Sequence, residues 1–478
     1  MINDVVIIGA GVIGSAVARE LAKYKLNIAV IEKENDVCEV TSMANSAIVH
    51  SGYDPLPGTL KAKLNVSGNA MFDKLSEDLG FEFERIGSLT VGFEEESLDV
   101  LKDMQKNGEA NGVKTMILNH DETLKLDPYV DEKVKYSLFA PTCGIVNPFE
   151  YTIALMENAI DNGVKLYLNE EVTAISNCCG RYLIVTNKGV HEARMVINAA
   201  GLGSAKIAHM IGNNDFEIKP RKGEYFVLDH FAAPFVKHTI FPLPTKKGKG
   251  ILVTPTTHGN YLLGPTSEFV DDCGDFSTDS LTLDEVREGV NKVVKDIPFN
   301  QVIRSFAGLR SVATGNDFII KEDENNEYFY HLAGIQSPGL ASSYAIATYL
   351  VDIIKQKVNL EENKDFNPKR RPFIKLNKMS DEEKQKYYEK DHRFAHLICR
   401  CEKISEGEIL DCIHRSCGAT TVRGIKKRVR PGFGKCQGGF CQTYVVKLLA
   451  KELGKKEQEI LLGSNDSQIA KYVTKEEQ

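Results

Sequence analysis

Near its amino terminus the chain runs Val5-Val6-Ile7-Ile8, an apolar, mostly β-branched stretch, straight into Gly9-Ala10-Gly11-Val12-Ile13-Gly14 and a helical pattern through Leu21. A second apolar run, Ile28-Ala29-Val30-Ile31, ends in Glu32. Strands apolar on both faces are those of a parallel sheet covered by helices, so this unit predicts a doubly wound α/β domain. Glycines in such a turn let the backbone approach a pyrophosphate at the helix N-terminus, and an acid at the end of the second strand can accept ribose hydroxyls. G-x-G-x-x-G alone is also a common tight turn. The whole strand-turn-helix-strand-acid unit predicts a bound dinucleotide but does not choose FAD over NAD.

Two later segments bear on that choice. Val196-Ile197-Asn198-Ala199-Ala200-Gly201-Leu202-Gly203-Ser204 resembles the second flavin-contacting strand and turn of the D-amino-acid-oxidase superfamily. Leu332-Ala333-Gly334-Ile335-Gln336-Ser337-Pro338-Gly339-Leu340-Ala341 resembles its late turn and helix start over the flavin ring. The polar, glycine-punctuated stretch from Thr41 to Asp54 is similar to the loop with which these enzymes cross the flavin. The resemblance implies FAD held by Gly9, Gly11, Gly14, Glu32, Ser46, Val172, Ala200, Gly201, Gly334, Gly339 and Leu340.

A chain of 478 residues with 42% hydrophobic content has length for two or three domains. The expected fold class is α/β: an FAD-binding Rossmann-like domain interleaved with an antiparallel-sheet substrate domain, plus a small α-helical cluster domain at the carboxyl end. FAD-binding segments are expected at about 1–80, 145–215 and 300–360, and substrate-domain segments at about 81–144 and 216–299. Together they form an oxidoreductase unit over 1–362. Arg85 to Phe93 and Tyr136 to Val146 read as strands, Pro148 to Asn162 as a helix opened by proline, and Glu217 to Gly264 as short strands alternating with turns. Residues 363–396 are charged and proline-punctuated and read as a linker. The cluster domain is placed at 397–450 and a carboxyl-terminal tail at 451–478. No apolar stretch approaches the ~18 residues of a membrane span.

Six of the eleven cysteines fall near the carboxyl end, four as Cys399-x-Cys401 and Cys436-x4-Cys441. Four thiolates suit an iron-sulfur cluster or a closed structural zinc site, although zinc modules usually pair ligands as C-x2–4-C on both sides. The segment from Leu397 to Leu449 resembles bacterioferritin-associated ferredoxin, which implies a 2Fe-2S cluster on Cys399, Cys401, Cys436 and Cys441. Arg423, Lys426, Lys427, Arg428, Arg430 and Lys435 cluster nearby and are expected to ease reduction of an anionic core. A net charge of −7 and the lack of interleaved aromatics argue against nucleic acid. Ser405-x-x-Glu408 reads as a capping box, with Cys412 and Cys417 as packing residues on or just after that helix. Cys38, Cys143, Cys178, Cys179 and Cys273 show no metal spacing. With no leader visible before the first strand, a reducing cytoplasm is expected, with any membrane contact made at the inner face through a partner.

The two ends of the chain point to different substrates. Asn45 to Gly52, Pro57 to Lys63, Arg221-Lys222-Gly223-Glu224-Tyr225 and Tyr261 to Pro265 resemble L-2-hydroxyglutarate dehydrogenases. A flavoprotein fused to the cysteine module resembles the catalytic subunit of anaerobic glycerol-3-phosphate dehydrogenases, which implies oxidation of glycerol 3-phosphate. The latter group generally carries Gly-Gly-Lys-Leu-Thr-Thr where this chain has Gly334-Ile335-Gln336-Ser337-Pro338, so a phosphate-binding lysine must come from elsewhere, Lys222 being a candidate. Phe306-Ala307-Gly308-Leu309-Arg310 resembles the strand offering an arginine to the substrate anion in both groups. Oxidising a secondary alcohol needs a base, for which His50 is the first candidate and His258 the second. The expected partners are a small anionic hydroxy substrate and an electron-accepting subunit, a second flavoprotein or a quinone-linked protein. A carrier or regulatory subunit without catalysis is the competing class.

Overall fold

The computed structural model describes residues 2–178, 180–230, 235–244 and 250–469. Cys179, parts of the 217–264 stretch and the last residues of the expected tail lie outside them. The α/β class expected from the amino-terminal unit is observed. Asn3–Ile8 lies between Ile28–Ile31 and Val190–Asn198, parallel to both. Phe329–Ala333 pairs parallel with the end of Val190–Asn198, and the antiparallel ribbon of Val172–Cys178 and Arg181–Thr186 pairs with its beginning along the same edge. The helices Val12–Leu21, Pro148–Asp161 and Gly339–Lys355 pack together against it. Pro148 occupies the first helical turn, and the Asn147 side chain accepts from the N–H groups of Phe149 and Glu150, which is why this helix starts where it does. The Leu60–Leu79 helix crosses Gly339–Lys355 so closely at Gly68 that a Cβ there would clash with the Ala341 carbonyl.

The second sheet is mostly antiparallel, with one parallel junction between Thr239–Pro242 and Ser88–Gly92. Two expectations need correction here. Ile218–Leu228 is one eleven-residue strand, because its residues pair almost without a break along Val302–Ala313. Val302–Ala313, expected with the FAD segments, thereby belongs to the second sheet. This long ladder ends beside the glycine turns of the first sheet, where Ser311 Oγ donates to the Gly201 carbonyl at 3.1 Å.

The expected linker is instead a docked strap. Arg370 is buried and ion-paired with Glu157, which also accepts from Arg415 Nε at 2.6 Å, and Phe373 and Leu376 are buried. Its charges look solvated in sequence only because their partners lie two hundred residues away. Asp381–Lys390 is a helix opened by a Ser380/Glu383 capping box.

The cysteine module comprises a two-stranded ribbon, Leu397–Cys399 with Ile404–Ser405, and the helices Glu406–Ile413, Val422–Val429 and Gln442–Leu453. Its apolar residues, among them Ile409, Ile425, Val445 and Leu449, belong to the same continuous core as Ile7, Val30 and Leu350. Fully burying each such side chain contributes about 1.5–3 kcal/mol, so the module is welded to the flavoprotein rather than tethered. Residues beyond 451 also fold back: Arg423 N–H donates to the Leu462 carbonyl at 2.7 Å, and Ile460 is buried. The described part of the expected tail is therefore structured.

Candidate active site

A cleft of ≈ 1020 Å³ empty volume runs from the first glycine turn to the second sheet. Gly11, Ser46, Gly201, Gly339 and Leu340 line it, with His50, Tyr225 and Arg310 at the sheet end. Gly9 has φ +105, and a Cβ there would sit 2.6 Å from the Ala199 carbonyl oxygen, so this turn closes on the Ala199-Ala200 turn only with glycine. Gly14 and Gly334 likewise shape the turns behind the cleft, Gly14 by its contact with the Gly9 carbonyl and Gly334 through a positive φ of 65. Ser42 Oγ accepts from Val12 N–H at 2.9 Å and ties the crossing loop to the helix start.

Glu32 is buried at the end of its strand, its carboxylate accepting from the N–H groups of Ala10 at 2.7 Å and Glu34 at 2.9 Å. Burial outweighs those bonds and pushes its carboxyl up. Glycine-only turns, an acid on the first of them and a cleft long enough for an extended ligand fit an FAD. Val172 does not line the cleft; it packs with Ile31 and Val196 on the far side of the sheet.

The histidine candidates are separated. His50 lines the cleft, its Nε2 3.5 Å from Ser337 Oγ, and its carbonyl accepts from Asn65 and Asn69 of the Leu60–Leu79 helix at 2.6 and 3.0 Å. His258 lines a neighbouring cavity instead, Nδ1 3.1 Å from Glu82 and Nε2 3.0 Å from Asn147. Burial, together with the Arg430 charge, pulls its imidazole down to about 3, against the pull of Glu82. His258 is thus a neutral, fully engaged spacer, which corrects its candidacy as a base in the flavin cleft.

Arg310 projects from Val302–Ala313, its Nη2 donating to the Thr266 carbonyl at 2.9 Å. Directly across the ladder stands Arg221. Burial and the neighbouring Arg310 charge pull the Arg221 guanidinium down. Tyr225, two pleats along the same face, has its hydroxyl 3.0 Å from Ser46 Oγ and its ring stacked on Phe306 at 4.6 Å. Lys222 points to the opposite face, 2.8 Å from Asp275 and 3.5 Å from Glu224, so it is not the replacement phosphate lysine. Sequence reasoning passed over Arg221, although the period of two in Arg221-Lys222-Gly223-Glu224-Tyr225 could have found it.

In the cysteine module Cys401 and Cys436 have sulfurs 3.6 Å apart, and Cys399 and Cys441 form the second pair. A shared hydrogen bond with Cys441, then backbone N–H groups of Glu402 and Gly432, pull the Cys399 thiol down to about 6 against burial. Burial likewise opposes the N–H groups of Gly438, Phe440 and Gly439 at Cys436, and loses. Two thiols on one tetrahedral metal with bonds of about 2.3 Å stand roughly 3.7 Å apart, so the Cys401–Cys436 spacing suits one iron of a binuclear core. Among the described residues no three or more His, Cys, Asp or Glu side chains converge as a single-ion site would need. Gly434 must be glycine, since a Cβ would strike that of Cys401. Cys412 and Cys417 are buried, and Glu406–Ile413 opens with the expected Ser405/Glu408 box.

Two residues of the basic run, Lys427 and Arg428, do something other than expected. Arg428 grips Asp36 through two bonds of 2.8 and 2.9 Å, and Lys427 reaches Asp36 at 3.0 Å and Glu39 at 2.6 Å. All three partners of the Asp36 knot are buried. These cations fasten the module to the loop following Glu32 rather than facing the thiols.

Fold and site together define a flavin-dependent oxidoreductase with an iron-sulfur module. Residues 4–353 match the family model "FAD dependent oxidoreductase" and 397–451 the model "BFD-like 2Fe-2S binding domain". The chain belongs to the FAD dependent oxidoreductase family. It is 47% identical over 476 residues, 99% of each chain, to a glycerol 3-phosphate dehydrogenase of Caloramator mitchellensis. It is 34% identical to a glycerol 3-phosphate oxidase of Mycoplasma pneumoniae, over 76% of this chain and 97% of that protein. The structure of the L-alpha-glycerophosphate oxidase of Mycoplasma pneumoniae with FAD bound superposes with a TM-score of 0.75 at 32% identity, covering 78% of this chain and all of that one. FAD and a 2Fe-2S centre are accordingly its cofactors. No helix among the described residues is long and apolar enough to cross a membrane.

Proposed function

We propose that the chain oxidises sn-glycerol 3-phosphate to dihydroxyacetone phosphate and passes the electrons out through its cluster module. Arg310 at the sheet end of the cleft, with Arg221 as its register partner on the same face, carries this reading: two guanidinium groups on one face suit a phosphate dianion, and the dehydrogenase and oxidase relatives support it. His50 takes the hydroxyl proton as the carbinol hydrogen leaves as hydride, so the alcohol becomes a ketone. Ser46 and Tyr225 orient the substrate between them. Bound FAD supplies the hydride acceptor at N5. Gly9, Gly11 and Gly14 would admit its pyrophosphate, Glu32 would accept from its adenosine, and the Ala200-Gly201 and Gly334 to Leu340 turns would frame its ring.

Cys401 is exposed, and Phe440, inside the second cysteine pair, is 82% exposed, so a cluster held there would supply one-electron transfer at an open face. The acceptor there is a partner protein. Residues 1–362 form the catalytic unit, 363–396 a strap and 397–450 the cluster domain. Anaerobic turnover with an artificial dye tests the reading. Oxidation of glycerol 3-phosphate supports it, and activity with L-2-hydroxyglutarate alone overturns it.

A further inference from the structure

Behind the flavin-crossing loop lies a second cavity, open to solvent and bordered by that loop, the second sheet and the cysteine module. Arg304, Arg423, Lys426 and Arg430 line it, and Phe149 and Phe433 provide an aromatic wall, their rings 5.7 Å apart. None of the four candidate cluster ligands and neither His50 nor Arg310 lines it. It shares Ala44, Asn45 and Ala47 of the crossing loop with the flavin cleft but opens on that loop's other side, away from His50, Arg310 and the cluster cysteines.

The charge in this cavity is not balanced. Glu34 and Glu39 are its carboxylates, and Glu39 already serves Lys427 at 2.6 Å and Arg423 at 3.4 Å. Arg430 is bonded to Glu402 at 2.8 Å. Arg304 makes one long bond, to Gln437 at 3.4 Å, and has no carboxylate within ion-pair distance among the described residues. Lys426 rests its ammonium 4.5 Å over the Phe433 ring, again without a carboxylate partner among the described residues. Burial, then the Arg304 and Arg430 charges, pull that ammonium down to about 8. Like charges converging on a partly desolvated space repel one another unless an anion joins them. Nε of Arg423 is moreover buried without a hydrogen-bond partner.

We propose that this cavity binds a phosphate ester carried on a planar heteroaromatic ring, a mononucleotide, with the phosphate between Arg304 and Lys426 and the ring against Phe149 and Phe433. A bare phosphate would satisfy the cations but leave the aromatic wall and most of the space unused. Adenine nucleotides and flavin mononucleotide share the required chemistry. The site is independent of the substrate assigned above.

Calorimetric titration of the FAD- and cluster-loaded enzyme with AMP, flavin mononucleotide and inorganic phosphate tests the inference. The expected result is saturable binding of AMP or flavin mononucleotide, tighter than inorganic phosphate and undiminished by saturating glycerol 3-phosphate. The preferred probe identifies the source. Arg304→Ala and Lys426→Ala are each expected to weaken it by about tenfold or more, while the dye-linked kcat persists. Absence of binding by both ring-bearing probes, binding no tighter than phosphate, competition by the substrate, or equal affinity in both variants would overturn the proposal.

Discussion

Arg221 and Arg310 stand opposite each other as register partners in the ladder between Ile218–Leu228 and Val302–Ala313. Two cations placed so repel one another, and on the proposed reading the substrate phosphate joins them. Truncating either removes a charge-assisted contact. Arg221→Ala is expected to raise KM for glycerol 3-phosphate by about ten- to a hundredfold, with a smaller effect from Arg221→Lys, which keeps charge and loses the fork. Steady-state kinetics on both variants check this.

His50 is anchored through its carbonyl by Asn65 and Asn69, so exchanging its ring should leave the loop in place. His50→Asn is expected to lower the rate of flavin bleaching by about 10²–10⁴-fold with FAD content unchanged, as loss of a general base does. Rapid mixing under nitrogen measures it. Unaltered bleaching removes His50 from the chemistry.

His258 gives the opposite outcome. With its imidazole held at about 3, it stays neutral between about pH 5 and pH 8, and His258→Gln should leave the pH profile of kcat unmoved. Ring nitrogen chemical shifts followed across that range report the charge directly.

Asp36 joins the module to the flavoprotein. Its carboxyl lies well below the ordinary range because the Arg428 and Lys427 charges overcome the cost of burial. A depressed native pKa contributes stability that is complete above the unfolded value near about 4 and drains away as pH falls from there through the native value. Asp36→Asn strands the buried Arg428, while Lys427 keeps Glu39, and should cost about 3–5 kcal/mol. Thermal melts at neutral pH, with protease sensitivity around residue 396, read this out. The loss relative to the parent should shrink in strong acid.

Cluster assembly is checked by metal content. Two irons per chain and no zinc are expected, and Cys436→Ser should remove the visible cluster absorption while substrate still bleaches the flavin. A zinc-bound, colourless module would contradict the iron-sulfur assignment of the four cysteines.

What could be read beforehand was what is written locally. The strand-turn-helix at Val5 to Leu21, the Pro148 helix start, the Ser405 capping box and the four cysteines each depend on neighbours a few residues away. The strap at Arg370, the Asp36 knot and the neutral state of His258 depend on partners hundreds of residues distant. A charged side chain announces nothing about whether its counter-ion is water or Glu157. Arg221 is an intermediate case: its face was recoverable from alternation, but its partner in register was not.

The Asp36 knot lies only a few residues beyond Glu32, on the same loop that leaves the adenosine side of the cleft. Because the cysteine module grips that loop and shares its apolar interior, its distance from the flavin cleft is fixed by packing. On the proposed route, transfer within one polypeptide would need no diffusive search, and its rate should be indifferent to solvent viscosity.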